Sequence, residues 1–160
     1  MGKAKLTVLG IGNVLMGDEG VGVRLLEAVR DGREWPEDIE FIDGGAGGMG
    51  LLNVLEEAER LVVFDAAEMG LPPGEHRVIV PAQLHDESTE HRASMHDVPF
   101  TETLDLCARF FHAPETVKVL AVQPKTVDLG SAMTEDVKSA FDLLVRAGTE
   151  LVEAEYAAAK

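Results

Sequence analysis

Three side chains that are good metal ligands occur at separate points of the sequence: Glu19, Asp65 and His96. Two carboxylates and an imidazole suit a borderline divalent cation such as nickel, zinc or manganese, and leave coordination positions open. An open position allows the cation to polarise a carbonyl group or to activate water. Ordinary structural roles are the alternative, with Glu19 beside a helix dipole, Asp65 accepting backbone hydrogen bonds in a turn and His96 in a solvated loop. Spacing alone leaves both interpretations open.

The segment 10–15 (GIGNVL) begins like the fingerprint of a dinucleotide-binding protein. The third glycine of that fingerprint should fall at position 15, which is Leu15. Asp18 and Glu19 would also put negative charge at the amino end of the next helix, where a pyrophosphate would bind. Asp43, after the second predicted strand, does resemble the acid that binds a ribose. A Rossmann-like nucleotide-binding protein is therefore the weaker hypothesis.

Other potentially reactive side chains have simpler interpretations. His85 and His91 precede His96 at five-residue separations, which match no standard zinc spacing, so we interpret them as surface residues. Cys107 lies on an apolar helical stripe and is interpreted as a buried structural thiol. Ser94 lacks the glycine elbow of a serine hydrolase.

The elements that must position these residues alternate between strands and helices. Apolar, β-branched runs predict strands at 5–10, 39–43, 60–66, 76–80 and 117–122. Helical spacing of apolar residues predicts a helix at 20–29, a second with Leu51, Leu52 and Leu55 inward, and a third with Phe100, Leu104, Cys107, Ala108 and Phe111 inward. A fourth runs to about residue 154, with Thr134 as its N-cap.

This order predicts a single domain over residues 1–160. We expect a three-layer α/β/α sandwich with a five-stranded, mostly parallel sheet, of phosphorylase/hydrolase-like type. Strand 60–66 is the most apolar and should be central. Only about ten residues separate it from strand 76–80, too few for a parallel crossover, so strand 76–80 should be antiparallel and near an edge. The ligand site should lie beyond the carboxyl ends of the parallel strands.

The amino-acid composition limits the classes of binding partner that we expect. Asp and Glu outnumber Lys and Arg by 29 to 14 in the 160 residues, which disfavours nucleic acid and anionic lipid. No segment has the length of a membrane span or the shape of a signal peptide, and a single cysteine fits a reducing compartment. We expect a cytoplasmic protein, monomeric, with a function unrelated to nucleic acid or membranes.

Four motifs together resemble the hydrogenase maturation endopeptidases. They are GIGNVLMGDEGVG at 10–22, DGG at 43–45, VVFDA at 62–66 and SMH at 94–96, and the resemblance extends from residue 6 to about 130. It implies that Glu19, Asp65 and His96 hold the positions of the metal-contacting residues in that family. The pair Gln123-Pro124 and Gly130 also match the family pattern.

The resemblance implies a task as well. Such an enzyme removes a carboxyl-terminal extension from the precursor of the nickel–iron hydrogenase large subunit after nickel insertion, and the nickel arrives with that precursor. The glycine-rich segment 44–50 would then either approach an extended peptide closely or serve as a structural turn. A nickel-binding accessory protein that inspects the precursor without cutting it is the alternative from a different functional class.

Overall fold

The computed structural model describes residues 3–81 and 99–159 of the chain. The strands are β1 Leu6–Gly10, β2 Ile39–Asp43, β3 Arg60–Ala66, β4 His76–Ile79 and β5 Thr116–Val122. The helices are α1 Val21–Asp31, α2 Leu52–Glu57, α3 Pro99–Phe110 and α4 Glu135–Ala158, and short 3-10 helices occupy Gly17–Gly20 and Gly48–Leu51. Within these described ranges, every helix is too short or too polar to cross a membrane.

The five strands form one sheet in the order β2-β1-β3-β5-β4. Strand β1 pairs in parallel with β2 and β3, and β3 pairs in parallel with β5. Strand β4 lies at the edge and pairs antiparallel with β5. The predicted central position of β3 and the antiparallel edge strand are both confirmed. The short connection after β3 reverses the chain because it cannot accommodate a crossover helix.

Two apolar cores, one on each face of the sheet, make the molecule a three-layer sandwich. Side chains alternate along each strand, so that one set of strand residues faces each layer. Helices α1 and α4 cover one face, and their buried residues include Leu25, Leu26, Leu144 and Val152. Helix α2 and helix α3 cover the other face, with Leu55, Phe100 and Cys107 in the core. The predicted α/β/α architecture is confirmed.

The predicted inward stripe of helix α3 is only partly correct. Phe100 and Cys107 are fully buried, whereas Ala108 is exposed and Phe111 is 52% exposed. The helix ends at Phe110, which leaves Phe111 just outside it. Periodicity identifies residues on one side of a helix, but it does not show how far the covering layer extends along that side.

Candidate functional site

The carboxyl ends of β1, β3 and β5 bring three connecting segments together at one edge of the sheet. The segment after β1 contains the 3-10 helix Gly17–Gly20, which carries Glu19, and Asp65 lies near the end of β3. The segment 123–134 follows β5. The backbone N–H of Asp18 donates to the carbonyl oxygen of Thr126 at 2.8 Å. The backbone N–H of Ile11 donates to the carbonyl oxygen of Phe64 at 3.0 Å. The strand ends and the Glu19 segment are thus joined directly.

Glycines in the first motif allow the backbone to pack closely rather than to receive a phosphate. Gly12 has φ +147°, and a Cβ there would lie 2.0 Å from the carbonyl oxygen of Glu19. A Cβ on Gly22 would lie 2.2 Å from the oxygen of Ile11 and 2.3 Å from that of Phe64. Both positions require glycine so that helix α1 and the turn can approach the sheet. These contacts account for the similarity to a dinucleotide fingerprint.

Asp18 is a buried anchor that sequence reasoning treated only as a negative charge. Its side chain is 0% exposed. One carboxylate oxygen accepts the N–H of Thr134 at 2.8 Å, and the other accepts the N–H of Lys125 at 2.9 Å, the N–H of Thr126 at 3.3 Å and the hydroxyl of Thr134 at 2.7 Å. Burial alone would raise the pKa of Asp18, but these hydrogen bonds outweigh it and hold the pKa below its usual value.

Thr134 therefore has a different role from the predicted one. It is the N-cap residue of helix α4, as expected, but its side chain makes no capping hydrogen bond. The hydroxyl instead donates to Asp18. Donation to a charged carboxylate is stronger than a hydrogen bond between neutral groups, which favours this orientation of the side chain.

Gln123 is a second buried anchor, and it fixes the segment that follows Asp65. Its side-chain oxygen accepts the N–H groups of Met69 at 2.7 Å and Leu71 at 3.2 Å. Its side-chain nitrogen donates to the carboxylate of Glu68 at 2.9 Å and to the carbonyl of Pro124 at 3.0 Å. In the sequence, the only sign that Gln123 matters is that the pair Gln123-Pro124 matches the family pattern. That match does not specify these hydrogen-bond partners.

Asp65 is in a very different environment from Asp18. Its side chain is only 3% exposed, and Oδ2 has no hydrogen-bond partner among the described residues. Burial raises the pKa of Asp65 to about 8; the backbone N–H of Ala66 lowers it in part, and the negative charge of Glu19 raises it further. The effect of the Glu19 charge on the pKa of Asp65 indicates that the two predicted residues lie at the same edge of the sheet. A buried, unpartnered oxygen beside a second carboxylate is a suitable environment for a cation.

His96, the third predicted site residue, lies outside the described residues, as do His85, His91 and Ser94. Within residues 3–81 and 99–159, no group of three or more His, Cys, Asp or Glu side chains is arranged to hold a metal ion. The described part of the chain therefore brings together Glu19 and Asp65. A metal site of the predicted composition depends on His96 as its third member.

The glycine-rich segment after β2 has the geometry of a structural turn. Gly45, Gly47 and Gly48 have φ of +54°, +82° and +82°, which favour glycine. The carbonyl of Gly45 accepts the N–H of Gly12 at 2.7 Å, so this turn is joined to the segment after β1. Its contact with a peptide stays a prediction.

Cys107 is a buried thiol, as predicted. It is 0% exposed, and its Sγ–H donates to the carbonyl of His112 at 3.2 Å. Burial raises the pKa of this thiol, with a further contribution from the charge of Glu56. A thiol with a raised pKa is a poor nucleophile at neutral pH, so Cys107 is a core residue.

Fold and site together define an α/β protein with two carboxylates at the carboxyl end of a mostly parallel sheet. A family model described as hydrogenase maturation protease (HycI) matches residues 23–151. The hydrogenase expression/formation protein HupD of Rhizobium leguminosarum bv. viciae is 32% identical over 149 residues, covering 92% of this chain and 74% of the relative. The chain therefore belongs to the hydrogenase maturation protease family and is a hydrolase of the endopeptidase class.

Solved structures agree with this assignment. The endopeptidase HycI from Escherichia coli is 28% identical, with a TM-score of 0.68 over 91% of this chain and 89% of that one. The hydrogenase maturating endopeptidase HybD from E. coli has a TM-score of 0.75 over 93% of this chain and 92% of that one. At 24% identity, the second comparison shows a shared fold.

Proposed function

We propose that this endopeptidase removes a carboxyl-terminal extension from the precursor of a nickel–iron hydrogenase large subunit. Cleavage would follow nickel insertion, and the nickel would be part of the substrate. Glu19, Asp65 and His96 would contact that nickel and so place the extension for hydrolysis. Recognition of the metal would serve as the checkpoint that separates loaded from empty precursor.

The observation that carries this proposal is that Oδ2 of Asp65 has no hydrogen-bond partner among the described residues. Leaving a buried polar atom without a partner costs free energy, and a neighbouring carboxylate adds repulsion once Asp65 ionises. An arriving divalent cation removes both penalties, because it supplies a ligand for Oδ2 and neutralises the two carboxylates. The arrangement therefore favours a site that is completed by its substrate.

The residues of the chain support two chemical routes. In one route, the nickel of the precursor would polarise the scissile carbonyl and activate water. In the other, a carboxylate of the site would act as the general base. Asp65 holds its proton at neutral pH because burial has raised its pKa to about 8. Contact with a cation favours the ionised form, so binding of nickel-loaded precursor is expected to release a proton.

Incubation of the purified protein with precursor tests the proposal. Nickel-loaded precursor should lose the mass of its extension, whereas nickel-free precursor should keep its mass. If both precursors bind and neither is cut, the protein inspects its partner without proteolysis. If both are cut at equal rates, nickel is not the checkpoint.

A histidine variant tests the site itself. His96→Ala should abolish processing of nickel-loaded precursor without lowering the Tm. His112→Ala, at an exposed position beyond helix α3, is the matched control and should process normally. Normal processing by His96→Ala would remove this residue from the site.

A further inference from the structure

Four aliphatic side chains are exposed on two adjoining segments beside the candidate site. Val14 and Leu15 follow β1 and are 39% and 64% exposed, and Val127 and Leu129 follow β5 and are 42% and 77% exposed. Single exposed aliphatic residues are common on protein surfaces, but a group of them marks an interaction site. We name these four residues the aliphatic surface.

Hydrogen bonds hold the two segments of the aliphatic surface against each other. The N–H of Gly130 donates to the carbonyl of Leu15 at 2.7 Å, and the N–H of Gly17 donates to Ser131 at 3.0 Å. The side-chain oxygen of Asn13 accepts the N–H of Leu15 at 2.9 Å. The buried carboxylate of Asp18 joins the same two segments from beneath. A surface ordered before binding loses less conformational entropy when a partner arrives.

The aliphatic surface is continuous with the segment that carries Glu19. Leu15 lies four residues before Glu19, and the 3-10 helix Gly17–Gly20 begins two residues after Leu15. A protein bound on Leu15 and Leu129 would therefore extend over the carboxyl edge of the sheet, where Asp65 lies.

Charge at this edge defines the chemistry of the partner. Asp43, Glu68 and Asp128 are exposed there, and the whole chain has a net charge of -15. Lys125, the one basic residue of segment 123–134, is paired with Asp136 at 3.1 Å. A partner that presents aliphatic side chains flanked by basic ones fits this edge, because it complements both the apolar and the acidic residues.

We infer that the aliphatic surface is the docking site for the hydrogenase precursor, which contacts it with an apolar segment flanked by basic residues next to the bond to be cut. This inference rests on the proposed function, since the precursor is the occupant. Docking here supplies affinity, while Glu19 and Asp65 act at the cleaved bond.

The double variant Leu15→Gln/Leu129→Gln tests the docking site. With nickel-loaded precursor, its KM and its Kd by calorimetry should each rise about tenfold, as expected for loss of two central apolar contacts, with kcat at saturating precursor within about twofold of wild type. Leu143→Gln is the matched control, because Leu143 is 58% exposed on helix α4, and it should leave KM and Kd unchanged. The Tm of each variant verifies folding.

Binding and cutting separate the two proposals. If wild type cuts nickel-loaded precursor and the double variant keeps the wild-type KM and Kd, the docking site is wrong and the proposed function stands. If wild type binds precursor without cutting it and the double variant weakens that binding, the docking site stands and the proposed function fails. If wild type alone dimerises and the double variant is monomeric with unchanged affinity for precursor, a second copy occupies the surface and the inference is overturned.

A charge variant tests the predicted basic flank. Asp128→Asn should raise KM about threefold at low ionic strength, and the effect should disappear at high salt because exposed charges are then screened. An equal effect at both ionic strengths would contradict a basic segment at this position.

Discussion

Two buried carboxylates lie at the same edge of the sheet and have opposite properties. Asp18 is fully buried and accepts four hydrogen bonds, and its pKa is held below the usual value. Asp65 is almost as buried, yet Oδ2 has no partner among the described residues and its pKa is raised to about 8. Burial is thus common to both, and hydrogen bonding is what differs.

This difference in hydrogen bonding indicates different roles for the two residues. Asp18 stabilises the edge of the sheet, whereas Asp65 is available to a ligand. Donors around Asp18 come from segment 123–134, so its charge is satisfied by the fold itself. Asp65 receives little such compensation, and its neighbour Glu19 adds charge of the same sign. Sites for binding and catalysis commonly retain unfavourable electrostatics of this kind.

Loss of the Asp65 carboxylate should have the largest effect. Asp65→Asn is expected to lower kcat/KM for nickel-loaded precursor by about a thousandfold or more, because a neutral amide cannot replace an anionic ligand or base. Asp142→Asn, on the exposed side of helix α4, is the matched control. Near-normal cleavage by Asp65→Asn would show that the unpartnered oxygen is not part of the site.

The same substitution should change how stability depends on pH. The folded-state pKa of Asp65, about 8, lies above the usual value of 3.8, so the folded protein binds this proton more tightly than the unfolded chain. The resulting stabilisation is fully present below pH 4 or so and is lost as pH rises through 8, on the order of several kcal/mol in total.

Urea unfolding of wild type and Asp65→Asn measures this pH-dependent stabilisation. The measurements should run from about pH 5 to 9, the range in which the proton is lost. The free energy of unfolding of the variant should decline less with rising pH than that of wild type. Parallel curves for the two proteins would contradict the raised pKa.

Asp18 should show the reverse pattern. Asp18→Asn places an amide N–H₂ group against backbone donors and leaves at least one of them unpaired, so the free energy of unfolding should fall by about 2–3 kcal/mol. Because the pKa of Asp18 is lowered, its stabilisation is present above the usual value of 3.8 and is lost as pH falls through the folded-state pKa. Wild type should therefore lose stability in acid more steeply than the variant. A variant as stable as wild type at neutral pH would show that Asp18 is not an anchor.

The smallest expected effect concerns Thr134. Thr134→Val should lower the free energy of unfolding by about 1 kcal/mol, because the hydroxyl donates to Asp18 and does not cap helix α4. In an Asp18→Asn background the same change should cost clearly less, which a double-mutant cycle measures by chemical unfolding. Equal costs in both backgrounds would indicate that the hydroxyl acts through the helix.

Much of the fold is predictable from local pattern. Short runs rich in apolar and β-branched residues identify all five strands, and the short connection after β3 is enough to predict that β4 reverses direction. For the site, the carboxyl-end rule places Asp65 and Glu19 at one edge, where the charge of Glu19 raises the pKa of Asp65. Their role as site residues stays a prediction. Periodicity fails at Phe111, where helix α3 has already ended and the side chain is exposed.

By itself, the sequence determined where the strands and helices lie, because their patterns depend on neighbours along the chain. It thereby determined which residue types are available at the sheet edge. Residue type and local pattern gave no sign that Asp18, after β1, and Asp65, near the end of β3, have opposite hydrogen-bonding environments. Only the tertiary structure decided that one carboxylate accepts hydrogen bonds from four donors of segment 123–134, while the other has an oxygen without a partner among the described residues. Those donors lie more than a hundred residues away in the chain, and hydrogen bonding over such a separation is set by packing of the whole sheet.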